Sequence, residues 1–339
     1  MKELIKKLTE GYNLTRGEAY KAMTLMLSGQ ATPAQIASYL MALRLKGETV
    51  EEIIGSCEGM KSQGGTIAPH RSNYIDFVGT GGDGTNTFNI STTSMFVCAA
   101  AGVNVAKHGN RASSSKSGAA DLLEALGINI FLEPKEVEKC IDDIGFGFMN
   151  AQKFYTAMKN VAPVRKEIGV RTVFNMLGPI SNPSNAKGQL IGVFSKEMVP
   201  VFSKSMLEMG HIHSMVVFGN DGMDEVTTTT TTYVNEIKDG KILEYEIDPH
   251  DYGMKYADPE ELKGGTGAEN AEITKAIFKG EKGPKREIVV LNSACGIYIG
   301  GKAKSISEGV KIAEEIIDSG AAMKKVDELI ARTNMGRCA

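Results

Sequence analysis

The chain of 339 residues is long enough for one large α/β unit or for two domains sharing an interface, and its 42% hydrophobic and 23% charged residues are those of an ordered globular protein. Its 38 basic and 41 acidic residues leave a net charge of −3, which supplies no global field toward nucleic acid or an anionic membrane, so an anionic ligand has to be held by local groups. The opening run Met1-Lys-Glu-Leu-Ile-Lys-Lys-Leu lacks the apolar core of a signal peptide, no window approaches the ~18 apolar residues of a membrane span, and five scattered cysteines without a Cys-x-x-Cys pair fit a reduced cytoplasm.

Residues 1–65 read as a small helical bundle. Three helix starts carry a hydroxyl followed three residues later by Glu or Gln, the reciprocal capping pattern: Thr15 with Glu18, Thr32 with Gln35, and Thr49 with Glu52. Pro33 suits a first helical position, and Ile36, Tyr39, Leu40 and Leu43 recur on one apolar face. The pattern breaks at Ser62-Gln-Gly-Gly-Thr, and short apolar runs then alternate with helical segments. Residues 74–78 are strand-like and end in a glycine loop; 94–101 are helix-like; 103–106 are strand-like and end in a polar loop; 121–126 are helix-like. That alternation implies right-handed crossovers and a largely parallel sheet. Farther on, Pro163 is expected to bend a helical stretch. Residues 188–194 and 213–218 add strands around a helix near 200–209. The threonine run 227–232 is expected to be extended, and 231–247 to form a hairpin turning at Asp239-Gly240. Residues 269–280 and 306–318 read as helices, and 288–299, open to helix or strand, is assigned to helix on its length.

Four clusters carry chemistry. Gly79-Thr-Gly-Gly-Asp-Gly-Thr85 follows a strand; it is either a tight turn or a loop whose N–H groups approach a phosphate unhindered by Cβ atoms. Asn89-Ile-Ser-Thr92 either caps the next helix or binds an anion or metal beside its exposed N–H groups. Lys107-His-Gly-Asn-Arg-Ala-Ser-Ser-Ser-Lys-Ser-Gly118 sets three cations among small hydroxyl residues at a strand end, where open α/β sheets place ligands; His108 reads there as a positional hydrogen-bonding group rather than a catalyst. Adjacent Asp224 and Glu225 offer hard oxygen ligands suited to a magnesium ion that stays bound to a phosphate ligand. Glycine loop, cationic loop and acid pair all follow strands and are expected to meet along one sheet edge. Arg165, in Val161-Ala-Pro-Val-Arg165, is either a surface cation or a two-pronged contact for a carboxylate.

At these positions the chain resembles the anthranilate phosphoribosyltransferase family, whose signatures stand in order at 79–83, 89–92, 107–111, 161–165, Leu177-Gly-Pro-x-x-Asn-Pro183 and 224–225. The similarity runs from the N-terminal helices to Ser319-Gly-Ala-Ala. It implies a homodimer with a nucleoside phosphorylase/phosphoribosyltransferase-like fold: a small N-terminal helical bundle domain (1–65, completed by part of 160–190) and a larger α/β domain (70–339) with a largely parallel central sheet. The implied reaction transfers the 5-phosphoribosyl group of phosphoribosyl pyrophosphate (PRPP) to anthranilate in tryptophan biosynthesis, with Mg2+. The resemblance assigns PRPP to Gly79, Gly82, Asp83, Thr87, Asn89, Ile90, Ser91, Thr92, Lys107, His108, Gly109, Asn110, Arg111, Ala112, Ser113, Ser114, Ser115 and Ala119. It gives anthranilate to Gly79, Asn110 and Arg165, the metal to Ser91, Asp224 and Glu225, and transition-state stabilisation to Lys107, Arg111, Asp224 and Glu225. Three places depart from the family: Ala119 replaces a serine, Tyr155-Thr156 replaces His-Pro, and Thr230-Thr231 replaces Gly-Pro. A nucleoside phosphorylase, which would bind free phosphate, and a non-catalytic nucleic-acid binder are the rival readings. The paired acids argue against the first and the negative net charge against the second.

Overall fold

A computed structural model describes residues 1–112 and 116–335. The chain opens with α1 (Lys2–Thr9), α2 (Arg16–Leu27), α3 (Pro33–Lys46) and α4 (Val50–Ser62). The three expected capping boxes are all formed; Thr15 Oγ1 accepts from the Glu18 N–H at 3.3 Å while Glu18 Oε2 accepts from the Thr15 N–H at 2.8 Å. Helices α2 and α4 cross closely because Gly55 and Gly59 lack side chains: a Cβ on Gly55 would lie 2.1 Å from the Arg16 carbonyl oxygen.

The α/β region follows as β1 (Tyr74–Gly79), α5 (Ile90–Ala100), β2 (Asn104–Gly109), α6 (Ala119–Ala125), α7 (Pro134–Ile144), β3 (Phe146–Asn150), α8 (Ala151–Phe154), α9 (Ala162–Ile168), α10 (Val173–Ile180), β4 (Gly188–Gly192), α11 (Met198–Glu208) and β5 (His213–Gly219). It closes with β6 (Thr232–Lys238), β7 (Lys241–Ile247), α12 (Gly267–Phe278), α13 (Pro284–Ile299), α14 (Ile306–Asp318) and α15 (Ala321–Thr333). Among the described residues, seven strands form one sheet in the order β3-β2-β1-β4-β5-β6-β7, parallel through β5 and antiparallel at β6 and β7. The chain leaves β1 toward β2 and β3 and returns on its other side as β4. The gap between the C-terminal ends of β1 and β4 is therefore the topological switch point where such sheets place ligands.

Side chains alternate across each strand. Ile75, Phe77, Val105, Leu190, Met215 and Val217 face one apolar cluster with α5 and α13. Ala106, Ile191 and Val216 face a second, which also contains Leu40 and Ile53 of the N-terminal helices and Phe174 and Leu177 of α10. The helical layer and one sheet face thus share a core.

Three expectations change. Helix α5 begins at Ile90, four residues earlier than its apolar pattern suggests. Pro163 lies in the first turn of α9, where its missing N–H costs nothing, so it starts that helix instead of bending one. Residues 227–231 are not a strand; Asp221 accepts from the Thr227 and Thr229 hydroxyls and folds them into a turn. The hairpin does turn at Asp239-Gly240, with φ of 51° and 72°, as a two-residue loop with both centres left-handed requires. Among the described residues no helix is long and apolar enough to cross a membrane.

Candidate functional site

Strands β1 and β4 pair so that Gly79 lies opposite Gly192, and the acid pair is threaded over both glycines. A Cβ on Gly79 would lie 2.4 Å from Asp224 Oδ2, and one on Gly192 would lie 1.6 Å from the Asp224 carbonyl oxygen. Only two residues without side chains let the 224–225 backbone settle onto the switch point.

The glycine loop reaches up to meet the acids. The Thr80 N–H donates to the Gly192 carbonyl at 2.9 Å, and the Gly81 N–H donates to Asp224 Oδ2 at 2.6 Å. Gly81, Gly82 and Gly84 have φ of 71°, 74° and 80°, which an L side chain would resist. Asp83 accepts from the Thr85 N–H at 3.2 Å and from its hydroxyl at 2.6 Å. On the other side of the acids, helix α5 presents its first turn: Glu225 Oε1 accepts from the Ser91 N–H at 3.2 Å and from the Ser91 hydroxyl. Burial, then the charges of Asp83 and Glu225, push the Asp224 carboxyl well above the usual carboxylate range. Burial also pushes Glu225 up to about 7.

The Lys107 ammonium lies beneath this cluster. Strand β2 carries it into the interior, 2% exposed, where Nζ donates to the Phe77 carbonyl at 2.5 Å and its charge faces Asp76 and Glu225. Asp76, fully buried, is pushed up to about 6 by burial, with Lys107 opposing. Asn182 of the Leu-Gly-Pro-x-x-Asn-Pro segment donates to Asp76 Oδ2 and to the Ala106 carbonyl, both at 2.8 Å. That motif therefore acts by tying β1 to β2 beneath the site.

The remaining predicted residues are less uniform. Asn89 caps nothing with its side chain; it pairs with Ser117 and accepts from Asn270, tying α5 to the 107–118 loop and to α12. Ile90 and Thr92 are buried, and Thr87 bridges to Lys263. His108 is buried beside the Tyr155 ring, its Nε2 unbonded among the described residues; burial and then Lys107 hold it down to about 4, so it is neutral and adds no cation. Gly109 packs under Ala119. Arg111 is not free for a phosphate: it binds Asp121 and Glu124. Asp121 also accepts from the Ala112 and Gly118 N–H groups, both at 2.8 Å, closing the loop on itself, while Asn110 is exposed. Ser113, Ser114 and Ser115 lie outside the described residues. Arg165 is half-buried against the Phe174 ring at 5.0 Å, with no carboxylate partner among the described residues. Tyr155 is buried, its hydroxyl donating to the Ser181 carbonyl.

The structure thus brings together Gly79, Asp83, Ser91, Lys107, Asp224 and Glu225, and leaves Arg111 and Arg165 at the margin. Sequence reasoning missed Gly192, Asp76, Asp121 and Arg171, whose guanidinium donates to the Gly82 carbonyl. Of these, only Asp121 carried a local signal, as the acid three residues after Gly118. A cavity of ≈ 420 Å3 lined by Arg71, Asn104, Asp143 and Lys325 lies at the opposite, N-terminal ends of the strands, and its basic groups are already held by neighbours.

All the donors at the acid pair are oxygens, which suits magnesium. Among the described residues no three His, Cys, Asp or Glu side chains form a closed metal cage, so an ion here would draw its other ligands from a phosphate and from water.

The chain matches two family models: the α/β domain of a glycosyl transferase family at residues 71–323 and the helical bundle domain of that family at residues 2–64. It is 53% identical over 334 residues to the anthranilate phosphoribosyltransferase of Acetivibrio thermocellus, covering 98% of this chain and 97% of the relative. Among solved structures it is similar to the Thermus thermophilus anthranilate phosphoribosyltransferase (TM-score 0.93, 41% identity, 98% and 99% of the two chains covered). It is also similar to the Saccharomyces cerevisiae anthranilate phosphoribosyltransferase in complex with PRPP and Mg (TM-score 0.89, 28% identity, 98% and 97% covered).

Proposed function

The chain belongs to the anthranilate phosphoribosyltransferase family, and from that premise we propose how its residues transfer the 5-phosphoribosyl group of PRPP to anthranilate, releasing pyrophosphate. The observation that carries the reading is the acid pair seated on Gly79 and Gly192 at the switch point, with the glycine loop on one side and the N-terminus of α5 on the other. Loop N–H groups and that helix end hold the diphosphate, and Arg165 receives the acceptor carboxylate. Ser91, Asp224 and Glu225 would hold magnesium, whose chemistry is to offset the charge that grows on the departing pyrophosphate.

The anthranilate amine is unprotonated at neutral pH, so attack needs no prior base, and the neutral, buried His108 is consistent with that. The amine nitrogen forms its bond to C1 from the face opposite the pyrophosphate as the C1–O bond breaks, which inverts that centre, and the nitrogen then gives up one of its two protons to water or to the departing pyrophosphate. Alignment of the two substrates and stabilisation of the leaving group therefore carry most of the rate. Lys107, locked to the Phe77 carbonyl, sets its amino group beneath the acids, where burial lowers its pKa and the charges of Asp76 and Glu225 oppose that. A cytoplasmic homodimer, divided near residues 65–70 into helical and α/β parts, completes the proposal. The test is pyrophosphate release from PRPP with anthranilate, ring-substituted anthranilates and aniline across a magnesium series. Magnesium-dependent turnover with anthranilate and little with aniline is expected; preference for aniline would overturn the acceptor assignment.

A further inference from the structure

The glycine loop that receives the diphosphate in this reading carries no basic side chain of its own. From Gly79 to Thr85 its one ionisable residue is Asp83. The cation nearest it comes from elsewhere. Arg171, between α9 and α10, extends over the C-terminal edge of β4, lays its guanidinium against the Phe194 ring at 4.3 Å and donates through Nη2 to the Gly82 carbonyl. A Cβ on Gly82 would lie 2.8 Å from Arg171 Nη2, and the φ of +74° there further disfavours any side chain, so a glycine lies under the guanidinium by necessity. Among the described residues no carboxylate pairs with Arg171. Its guanidinium is therefore not tied up in a direct ion pair among the described residues, unlike that of Arg111, which two carboxylates already hold.

A trans peptide points its C=O and N–H in opposite directions. Holding the Gly82 carbonyl toward Arg171 thus turns the Asp83 N–H the other way and removes one of the loop's soft torsions. We propose that Arg171 is a positioning residue for the donor substrate: it sets the orientation of the 82–83 peptide, and with it the N–H groups the glycine loop offers to the diphosphate. The inference rests on the assignment of PRPP to this loop. Contact with the Phe194 ring and donation to the Gly82 carbonyl from one planar, permanently charged group suit a guanidinium, so lysine is not an equivalent replacement.

The test compares Arg171→Ala, Arg171→Lys and Phe194→Leu with the wild-type enzyme by steady-state kinetics in both substrates and by thermal melting. Arg171→Ala should raise the KM for PRPP about tenfold, the effect of losing one charge-assisted hydrogen bond, with the KM for anthranilate changed by less than about twofold. Arg171→Lys should recover part of the loss, Phe194→Leu should show a smaller rise in the same parameter, and millimolar guanidinium added to Arg171→Ala should restore PRPP binding. A melting temperature unchanged in Arg171→Lys keeps the kinetics interpretable even if the alanine variant folds poorly. An unaltered PRPP KM in folded Arg171 variants would overturn the proposal. Run beside them, Asp224→Asn separates the two failures: if it loses turnover while Arg171 is silent, only the role of Arg171 falls, and if it keeps turnover, the loop assignment falls as well.

Discussion

Asp224 and Glu225 are two adjacent buried carboxylates, both raised by the charge of Asp83, with the charge of Lys107 opposing at Glu225. Such a cluster is costly to keep unless a cation belongs in it. Asp224→Asn and Glu225→Gln should each lower turnover by at least about a hundredfold, because each removes an anionic oxygen of the proposed metal site at nearly constant volume. Thermal midpoints should stay at or above wild type, since each variant also loses a buried charge; near-normal rates at limiting magnesium would show that the acids do not hold the ion. Arg165 is the complementary case, a half-buried guanidinium on an aromatic ring with no carboxylate partner among the described residues. Arg165→Ala should raise the anthranilate KM by roughly ten- to a hundredfold, the kinetic equivalent of ~1.5–3 kcal/mol, and leave the PRPP KM near its original value. Equal effects on both substrates would move the acceptor carboxylate elsewhere. These residues were legible in the sequence because each is a charge in an ordered motif. Gly192 and Arg171 were not: one matters for the backbone that crosses it from 32 residues away, the other for a carbonyl 89 residues earlier.

Among elements, those with local punctuation were read well. The helices at Thr15, Thr32 and Thr49 follow from their caps, and the β6–β7 hairpin follows from Asp239-Gly240. Helix α7 and strand β3 were left unassigned although Pro134 and Glu136 mark a helix start, and β3 is buried throughout and so shows no alternation. The threonine run 227–231 was misread because its hydroxyls answer to Asp221, a tertiary partner that propensity does not see. Strand β4 carries the sharpest steric demand in the fold. Gly192→Ala places a methyl where the Asp224 carbonyl lies, so the 223–225 backbone has to lift from the sheet. The expected result is a raised magnesium requirement in titrations of activity, beyond the ~1–3 kcal/mol loss in stability that overpacking alone brings. A stability loss with the magnesium dependence intact would mean that the acids can follow the displaced backbone.

For the molecule as a whole, the pH dependence of stability is set by buried ionisable groups of opposing sign. Burial holds His211 down to about 3, with Nδ1 3.0 Å from the Ser214 hydroxyl, and His108 down to about 4. An unfolded chain protonates these rings near pH 6.5, so their contribution is complete above that pH and is lost as pH falls toward 4 and then 3, at up to about 1.4 kcal/mol per unit for each ring. Asp76, pushed up to about 6, Glu225, pushed up to about 7, and Asp224, raised well above the usual range, act with the opposite sign and add stability as pH falls toward the ordinary carboxylate values. The histidine share is isolated by His211→Asn, whose denaturation free energy relative to wild type should increase as pH falls from 6.5 to 5; parallel slopes would show that His211 does not couple to folding. The apolar cluster that joins α3 and α4 to α10 and to Ile191 and Val216 of the sheet bears on how the chain comes apart. With their hydrophobic contacts pooled in this way, the N-terminal helices should melt in the same cooperative step as the sheet. Calorimetry should record a single endotherm, displaced alike by Leu40→Ala in α3 and Val216→Ala in β5, whereas two resolved peaks, with Leu40→Ala moving only the earlier one, would mean that the two regions unfold independently.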